Sequence, residues 1–222
     1  LHLSIRRQCQ MCIRDSFYSL QGESSYAGRP CVFIRLTGCH LRCSWCDTPY
    51  SFHGGQWMSL EAILAQVASY GCPLVEVTGG EPLLQEAVHP LMGALCDAGY
   101  EVLIETSGGI DASRVDPRVV KILDVKCPGS GEESRNVWSN LDTLGAADEV
   151  KFVVAGREDY EYAARVIRER GLDRRGPLPL ISPVHGQVEL EHLSRWILED
   201  RLNVRFQVQL HKYIWGADAI GV

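Results

Sequence analysis

The sequence predicts an α/β protein folded as a partial, open (β/α) barrel of about six βα units, and three observations carry that prediction. Short β-rich runs alternate with stretches of helical periodicity, the pattern of a parallel sheet with crossover helices. The runs are mainly apolar, as the largely buried strands of such a sheet are. The 222 residues also fall short of the about 250 that a complete eight-fold barrel takes.

The first expected strand is Cys31–Leu36. A helix over Leu60, Ile63, Leu64 and Val67, capped by Ser59, leads to the next at Leu74–Thr78. Strands at Glu101–Glu105, Ile122–Lys126 and Val150–Val154 follow. A helical face of Ala163, Val166 and Ile167 behind Glu158 leads to a short strand at Pro179–Ile181. Leu190, Leu193, Trp196 and Ile197 form another helical face before the last strand, Val204–Val208. Cys127–Ser134 is a loop cluster of Gly, Pro and Ser, and a short helix is expected within 135–145.

Twenty-two Lys+Arg against 28 Asp+Glu give a net charge of −6. That balance excludes a general polyanion binder, which needs a basic face to neutralise phosphates. Apolar residues at 45% and charged residues at 23% exclude a disordered or fibrous chain. The longest apolar runs are far short of a membrane span, so neither nucleic acid nor membrane is expected as a partner. The nine cysteines are an odd count, which suits a disulfide framework poorly, and residues 1–10 hold no apolar signal stretch. A reducing, cytoplasmic setting is expected, in which clustered thiols bind metal rather than each other. Cys31, Cys72, Cys96 and Cys127 lie in or beside apolar runs and read as small core residues.

In parallel α/β proteins chemistry gathers at the carboxyl ends of strands. After the first strand comes Cys39-x3-Cys43-x2-Cys46, three thiols close enough on one loop to face a common centre. A structural zinc site or three unrelated buried thiols are the plainer readings. Zinc wants four ligands, no second C-x2-C follows downstream, and His40 is awkwardly placed directly after Cys39. After the second strand, Thr78-Gly79-Gly80-Glu81-Pro82 brings two glycines that let backbone approach a ligand and a carboxyl that can accept from an ammonium. Alone, it is also a plausible tight turn.

Together these motifs resemble those of the radical S-adenosylmethionine (SAM) enzymes, whose fold is a full or partial (β/α) barrel. The resemblance implies a [4Fe–4S] cluster on Cys39, Cys43 and Cys46, with SAM chelating the fourth iron. It implies SAM contacts at Gly79, Gly80 and Glu81, at Ser107, at Asp124, Val125 and Lys126, and at Ser182, Pro183, Val184 and His185. Ordinary strand-end capping is the bland alternative for the last three groups.

Phe17-Tyr-Ser-Leu-Gln-Gly-Glu23, Gly28-Arg-Pro30, Phe33–Cys39, Cys46-Asp-Thr48-x-Tyr50 and Gln209–Trp215 are similar to one subgroup, the 7-carboxy-7-deazaguanine synthases of the queuosine pathway. The resemblance runs from Phe17 to Val222, so 17–222 is expected to be one radical SAM core domain. It implies a substrate, 6-carboxy-5,6,7,8-tetrahydropterin, held by Leu20, Gln21, Gly22, Glu23, Arg35 and Thr78. It also implies a magnesium ion at Thr48, a reductant such as flavodoxin or ferredoxin, and a homodimer. Arg35 offers a fork for the carboxylate, Gln21 and Glu23 can pair with the pterin edge, and Thr78 adds a hydroxyl. Thr48 before Pro49 also reads as a plain turn residue. A glycyl-radical activase would share the cysteine loop without needing Gln21, Glu23 and Arg35. A non-enzymatic iron–sulfur carrier would need four protein ligands.

Two departures from the subgroup stand out. Residues 1–16, with three arginines and a Cys9-x2-Cys12 pair, show no strand alternation and are expected to be a non-native or disordered segment, resembling translated cloning sequence; a second metal site there is the alternative. Their loss from the fold would leave the subgroup's first strand absent. Ser24 stands where the subgroup more often has glycine.

Overall fold

The computed structural model describes residues 10–174 and 176–222. Its strands are β1 (Gln10–Leu20), β2 (Pro30–Leu36), β3 (Gln56–Ser59), β4 (Leu74–Gly79), β5 (Glu101–Thr106), β6 (Val120–Asp124), β7 (Glu149–Val154), β8 (Leu180–Pro183) and β9 (Arg205–Phe206). They form a single nine-stranded sheet in the order β3-β1-β2-β4-β5-β6-β7-β8-β9. From β2 to β9 along that order every pairing is parallel, and those strands match the seven expected runs. The ends of the order do not pair, so the barrel is open as expected.

The helices are α1 (Leu60–Tyr70), α2 (Val88–Asp97), α3 (Arg157–Arg170), α4 (Leu190–Glu199) and the short α5 (Leu210–Trp215). Ser59 accepts from the amide of Ala62 and starts α1, as its position before the periodic run predicts. α2 was not expected, although Val88, Leu91, Met92 and Leu95 are all buried at helical spacing. Pro90 and Gly93 disguise it, but a proline in the first turn costs a helix nothing, because its missing N–H would have no partner there. The β5–β6 and β6–β7 crossovers carry no α-helix; the stretch expected to hold a short helix makes 3₁₀ turns at Glu133–Arg135 and Trp138–Asp142. Helical βα units are therefore fewer than expected.

The alternation within the strands sorts the two faces of the sheet. Ile34, Val75, Val77 and Ile104 join Ile63 and Val67 of α1 and Leu91 and Leu95 of α2 in one apolar cluster. Phe152 and Val154 join Tyr160, Ala163 and Ile167 of α3 and Leu193 of α4 in a second. The other face carries the polar side chains. Cross-strand register sets Arg35 beside Thr78, Phe33 beside Glu76, and Asp124 beside Lys151.

The expectation of a disordered segment is corrected over residues 10–16; residues 1–9 lie outside the described residues. Gln10–Ser16 begin β1, an 11-residue strand antiparallel to both β2 and β3. Met11 and Ile13 are 1% and 3% exposed and belong to the main core. A register shift between Ile13 and Asp15 inserts Arg14 as a bulge, which breaks the period-two pattern in mid-strand and hides it in the sequence. Cys12 sits within this strand opposite Trp57, and Cys9 lies outside the described residues. Among the described residues, no helix is long and apolar enough to cross a membrane. Cys31, Cys72 and Cys127 are buried as expected, whereas Cys96 is half-buried.

Candidate active site

The carboxyl ends of β2, β4, β5, β6 and β7 open onto a cavity of about 230 Å3. The cysteine loop walls one side, and the bend after β1 walls the other. Cys39, Cys43 and Cys46 are free, half-buried and on the cavity wall. Burial pushes the thiols of Cys39 and Cys43 up. Backbone bonds anchor the loop: Gly38 donates to the Ser51 carbonyl at 2.9 Å, and the Gly38 carbonyl accepts from Glu81 at 2.8 Å. Gly80 packs so tightly under the loop that a Cβ there would lie 2.6 Å from that of Cys39. This close approach requires glycine.

Gly79, Gly80, Ser107, Asp124, Lys126 and Val184 line the cavity, as expected. Lys126 Nζ lies 2.6 Å from the Asp124 carboxylate. Burial pulls Lys126 down, but Asp124 and Cys43 outweigh it and leave its pKa above the ordinary lysine value. Other members of the expected SAM set do not reach the cavity wall. The Glu81 carboxylate is 0% exposed and spent on the fold. It accepts from the Ser107 amide at 2.7 Å, the Leu83 amide at 3.0 Å, and the hydroxyls of Thr106 and Ser107. Val125 points to the opposite face from Asp124 and joins the core. Ser182 and Pro183 are buried in β8, and His185 packs edge-on against Tyr213 with centroids 5.6 Å apart.

The expected substrate group, Leu20, Gln21, Gly22, Glu23, Arg35 and Thr78, is brought together on the cavity wall. Arg35 lies between the rings of Phe17 and Tyr50, each 5.6 Å away. Its buried Nε makes no hydrogen bond among the described residues. Gln21 also holds the bend: its amide donates to Glu76 and accepts from the Glu23 amide at 2.6 Å. Gly22 packs against His211 with no room for a Cβ.

Thr48 Oγ1 lies on the cavity wall 3.9 Å from Cys46 Sγ. Its carbonyl accepts from the Ser51 amide and hydroxyl at 2.9 and 2.7 Å, so Thr48 serves the turn.

Sequence reasoning missed the charged floor. Lys151, 3% exposed, pairs with Glu23 at 2.7 Å and with Glu105. Burial pushes the Glu23 carboxyl up, but Lys151 and His211 outweigh it and bring its pKa down to about 2. Burial beside Glu105 and Glu23 holds Glu76 far above the ordinary carboxylate value. The signal was a charged residue in the middle of a buried strand, Glu76 in β4 and Lys151 in β7, where desolvation forbids an idle charge. The carboxy-terminal segment packs against the bend after β1 and the cysteine loop. Leu210 donates to the Gly22 carbonyl at 2.9 Å, and Gln209 bridges Glu23 and Asp47 at 3.0 and 3.1 Å. Lys212 pairs with Asp47 at 2.7 Å and, against the effect of burial, holds that carboxyl below the usual range.

Residues 33–174 match the radical SAM superfamily. A 7-carboxy-7-deazaguanine synthase of Koribacter versatilis is 47% identical over 226 residues, covering 96% of this chain and 100% of the relative. The chain belongs to the 7-carboxy-7-deazaguanine synthase family. The enzyme of that name from Chlorobaculum tepidum is also 47% identical, covering 95% of this chain and 96% of its own. The crystal structure of QueE from Escherichia coli superposes with a TM-score of 0.76 at 26% identity, covering 94% of this chain and 98% of that one.

Radical SAM family membership brings a [4Fe–4S] cluster and SAM, and the cysteine loop suits the cluster. Among the described residues, no three of His, Cys, Asp and Glu converge on a point where a single metal ion could sit. A mononuclear zinc site needs its sulfurs about 2.3 Å from one centre. A polynuclear cluster instead spreads its thiolates over different irons. Three half-buried thiols on one cavity wall are the soft ligands that such a cluster takes.

Proposed function

We propose that this chain is a 7-carboxy-7-deazaguanine synthase, converting 6-carboxy-5,6,7,8-tetrahydropterin to 7-carboxy-7-deazaguanine with loss of ammonia. The observation that carries this reading is that one cavity joins Cys39, Cys43 and Cys46 to Arg35, Thr78 and the Glu23–Lys151 pair. When bound, the cluster and SAM supply an electron and a 5′-deoxyadenosyl radical, the chemistry that no side chain can provide.

The chain's residues bind and orient. Arg35, steadied between two rings, presents guanidinium N–H groups to the substrate carboxylate. Thr78, beside it in the register, adds a hydroxyl. Glu76, its carboxyl pushed up by burial, accepts from Gln21, and Gln21 shapes the Leu20–Glu23 bend around the pterin. Lys151 keeps Glu23 ionised as an acceptor for ring N–H donors.

Thr48 fits a magnesium site, because a hard cation takes oxygen donors and keeps several waters, and its hydroxyl together with the substrate carboxylate suits such an ion. A low-potential reductant such as flavodoxin or ferredoxin, a cytoplasmic setting and a homodimeric assembly complete the reading.

The test is anaerobic reconstitution with iron and sulfide, then incubation with SAM, a reductant and the carboxypterin. An ultraviolet-absorbing deazapurine should accumulate while SAM is not consumed. Cys39→Ala, Cys43→Ala and Cys46→Ala should each lose the cluster, and Cys12→Ala should keep it. A wild-type protein that binds the cluster and cleaves SAM without forming the deazapurine would overturn the assignment.

A further inference from the structure

The loop after β6 spans the gap between α3 and the cysteine loop, and it is bonded at both ends. At one end Asp159, buried in the first turn of α3, accepts from the Gly129 amide at 2.7 Å and the Ala155 amide at 2.9 Å. Gly129 packs so close that a Cβ there would stand 2.6 Å from Asp159 Oδ2. At the other end Ser44, between two of the cysteines, donates its amide to the Ser130 carbonyl at 3.0 Å and its hydroxyl to the Gly129 carbonyl at 2.7 Å. Arg42 donates its amide to Glu132 at 2.6 Å. Residues 42–44 thus lean on this loop, and the loop leans on Asp159.

We propose that Asp159 is a positioning residue for the iron–sulfur cluster, holding Cys43 in place through Gly129 and Ser44 without touching the cluster. The inference rests on the cluster reading of the cysteine loop. The physical need is clear: with three protein ligands the cluster has no fourth thiolate to fall back on. Any freedom at Cys43 becomes freedom of the iron it holds. A buried carboxylate whose two oxygens each take a backbone amide is a stiff anchor, since hydrogen bonds to a charged acceptor are shorter and stronger than neutral ones.

Asp159→Asn keeps the shape and one acceptor oxygen but puts an NH2 where the other amide must donate. Ser44→Ala removes only an exposed hydroxyl at the far end of the strut, so it reports even if Asp159→Asn folds poorly. Both proteins and wild type would be reconstituted anaerobically and challenged, without SAM, with a ferrous chelator. Iron release should quicken by about tenfold in Asp159→Asn, the factor that one lost hydrogen bond to a charged group carries. Ser44→Ala should quicken it two- to threefold, about the effect of one neutral hydrogen bond. The double variant should release iron no faster than Asp159→Asn alone, because both act through one strut. The reduced cluster's electron paramagnetic resonance lines should broaden in step. Wild-type release and spectra in Ser44→Ala, or effects that simply multiply in the double variant, would overturn the proposal. A wild-type protein that takes up no cluster would instead remove the reading beneath it.

Discussion

Asp15 Oδ1 on β1 lies 3.3 Å from Arg35 Nε on β2, across a register that sets the two residues directly opposite. Asp15 therefore aims the residue assigned to the substrate carboxylate. Burial pushes the Asp15 carboxyl above its ordinary range despite Arg35 and Arg14 nearby. The sign follows: a carboxyl with a raised folded pKa favours the fold below its unfolded pKa and disfavours it as pH rises through the folded one. At neutral pH Asp15→Asn should thus leave thermal stability unchanged or slightly higher. It should still raise KM for the pterin about two- to fivefold, the effect of losing an ion pair of at most about 1 kcal/mol that orients Arg35. A lower melting temperature with unchanged KM would give Asp15 a purely structural role.

Arg35→Lys replaces a planar fork with a point charge at constant net charge. Substrate affinity should fall about ten- to a hundredfold, the effect of one lost charge-assisted hydrogen bond. SAM affinity, read by calorimetry, should barely move. Equal weakening of both ligands would count against the carboxylate role.

Lys151→Met leaves Glu23 and Glu105 buried without their cation. Breaking a buried pair this way costs about 3–5 kcal/mol. Glu23 has its folded pKa lowered to about 2, so its stabilisation is present above the unfolded carboxylate pKa and is lost as pH falls toward 2. The deficit of the variant should therefore be greatest at neutral pH and shrink as pH falls below about 5, where carboxylates protonate in the unfolded chain. Urea titrations of both proteins across that range read it directly. A deficit constant with pH would mean that Lys151 acts through packing alone.

This pair also marks where the sequence stops being legible. Lys151 and Glu23 are 128 residues apart, and no local pattern announces that they meet. The motifs that did read correctly are local ones: three thiols within one loop, a Gly-Gly pair at a strand end, and Ser59 before a periodic run. Each expected strand proved to be one of the parallel strands, because short β-rich runs between helical stretches are a local signal. β1 escaped notice because the bulge at Arg14 interrupts its alternation, and with it went the counter-ion of Arg35. Glu81 shows the opposite error. Its motif position was plain, but its four donors, two amides and two hydroxyls, are spread over Leu83, Thr106 and Ser107 and could not be foreseen.

Ser24, noted as a departure from the glycine that the subgroup favours, has φ +62° and is fully buried. Its carbonyl accepts from Gln207, and its hydroxyl accepts from the Tyr26 amide at 3.2 Å. Glycine tolerates this left-handed backbone, whereas a β-branched residue is strained there. Ser24→Gly should stay within about 0.5 kcal/mol of wild type, the lost bond and looser unfolded chain offsetting the relief of strain. Ser24→Val should lose about 2 kcal/mol, combining left-handed strain with overpacking. Chemical denaturation midpoints decide between these outcomes, and a Ser24→Val protein as stable as wild type would mean the bend relaxes.

Thr48 is the residue that separates a metal role from a turn role, because its carbonyl serves the turn while its hydroxyl lies 3.9 Å from Cys46 Sγ on a cavity-lining residue. Thr48→Val removes the hydroxyl and keeps nearly the same shape and the same carbonyl, so the turn, cluster content and SAM affinity should survive. Turnover should fall. Raising magnesium should restore part of it, since a weakened site refills by mass action while a damaged fold or cluster does not. Calcium should substitute poorly in the unmodified protein, because it prefers more ligands at longer distances than one hydroxyl and a carboxylate supply. The measurement is the rate of deazapurine formation against magnesium concentration for both proteins. A wild-type rate indifferent to chelators, or a Thr48→Val curve that superimposes on it, would leave Thr48 as a turn residue only.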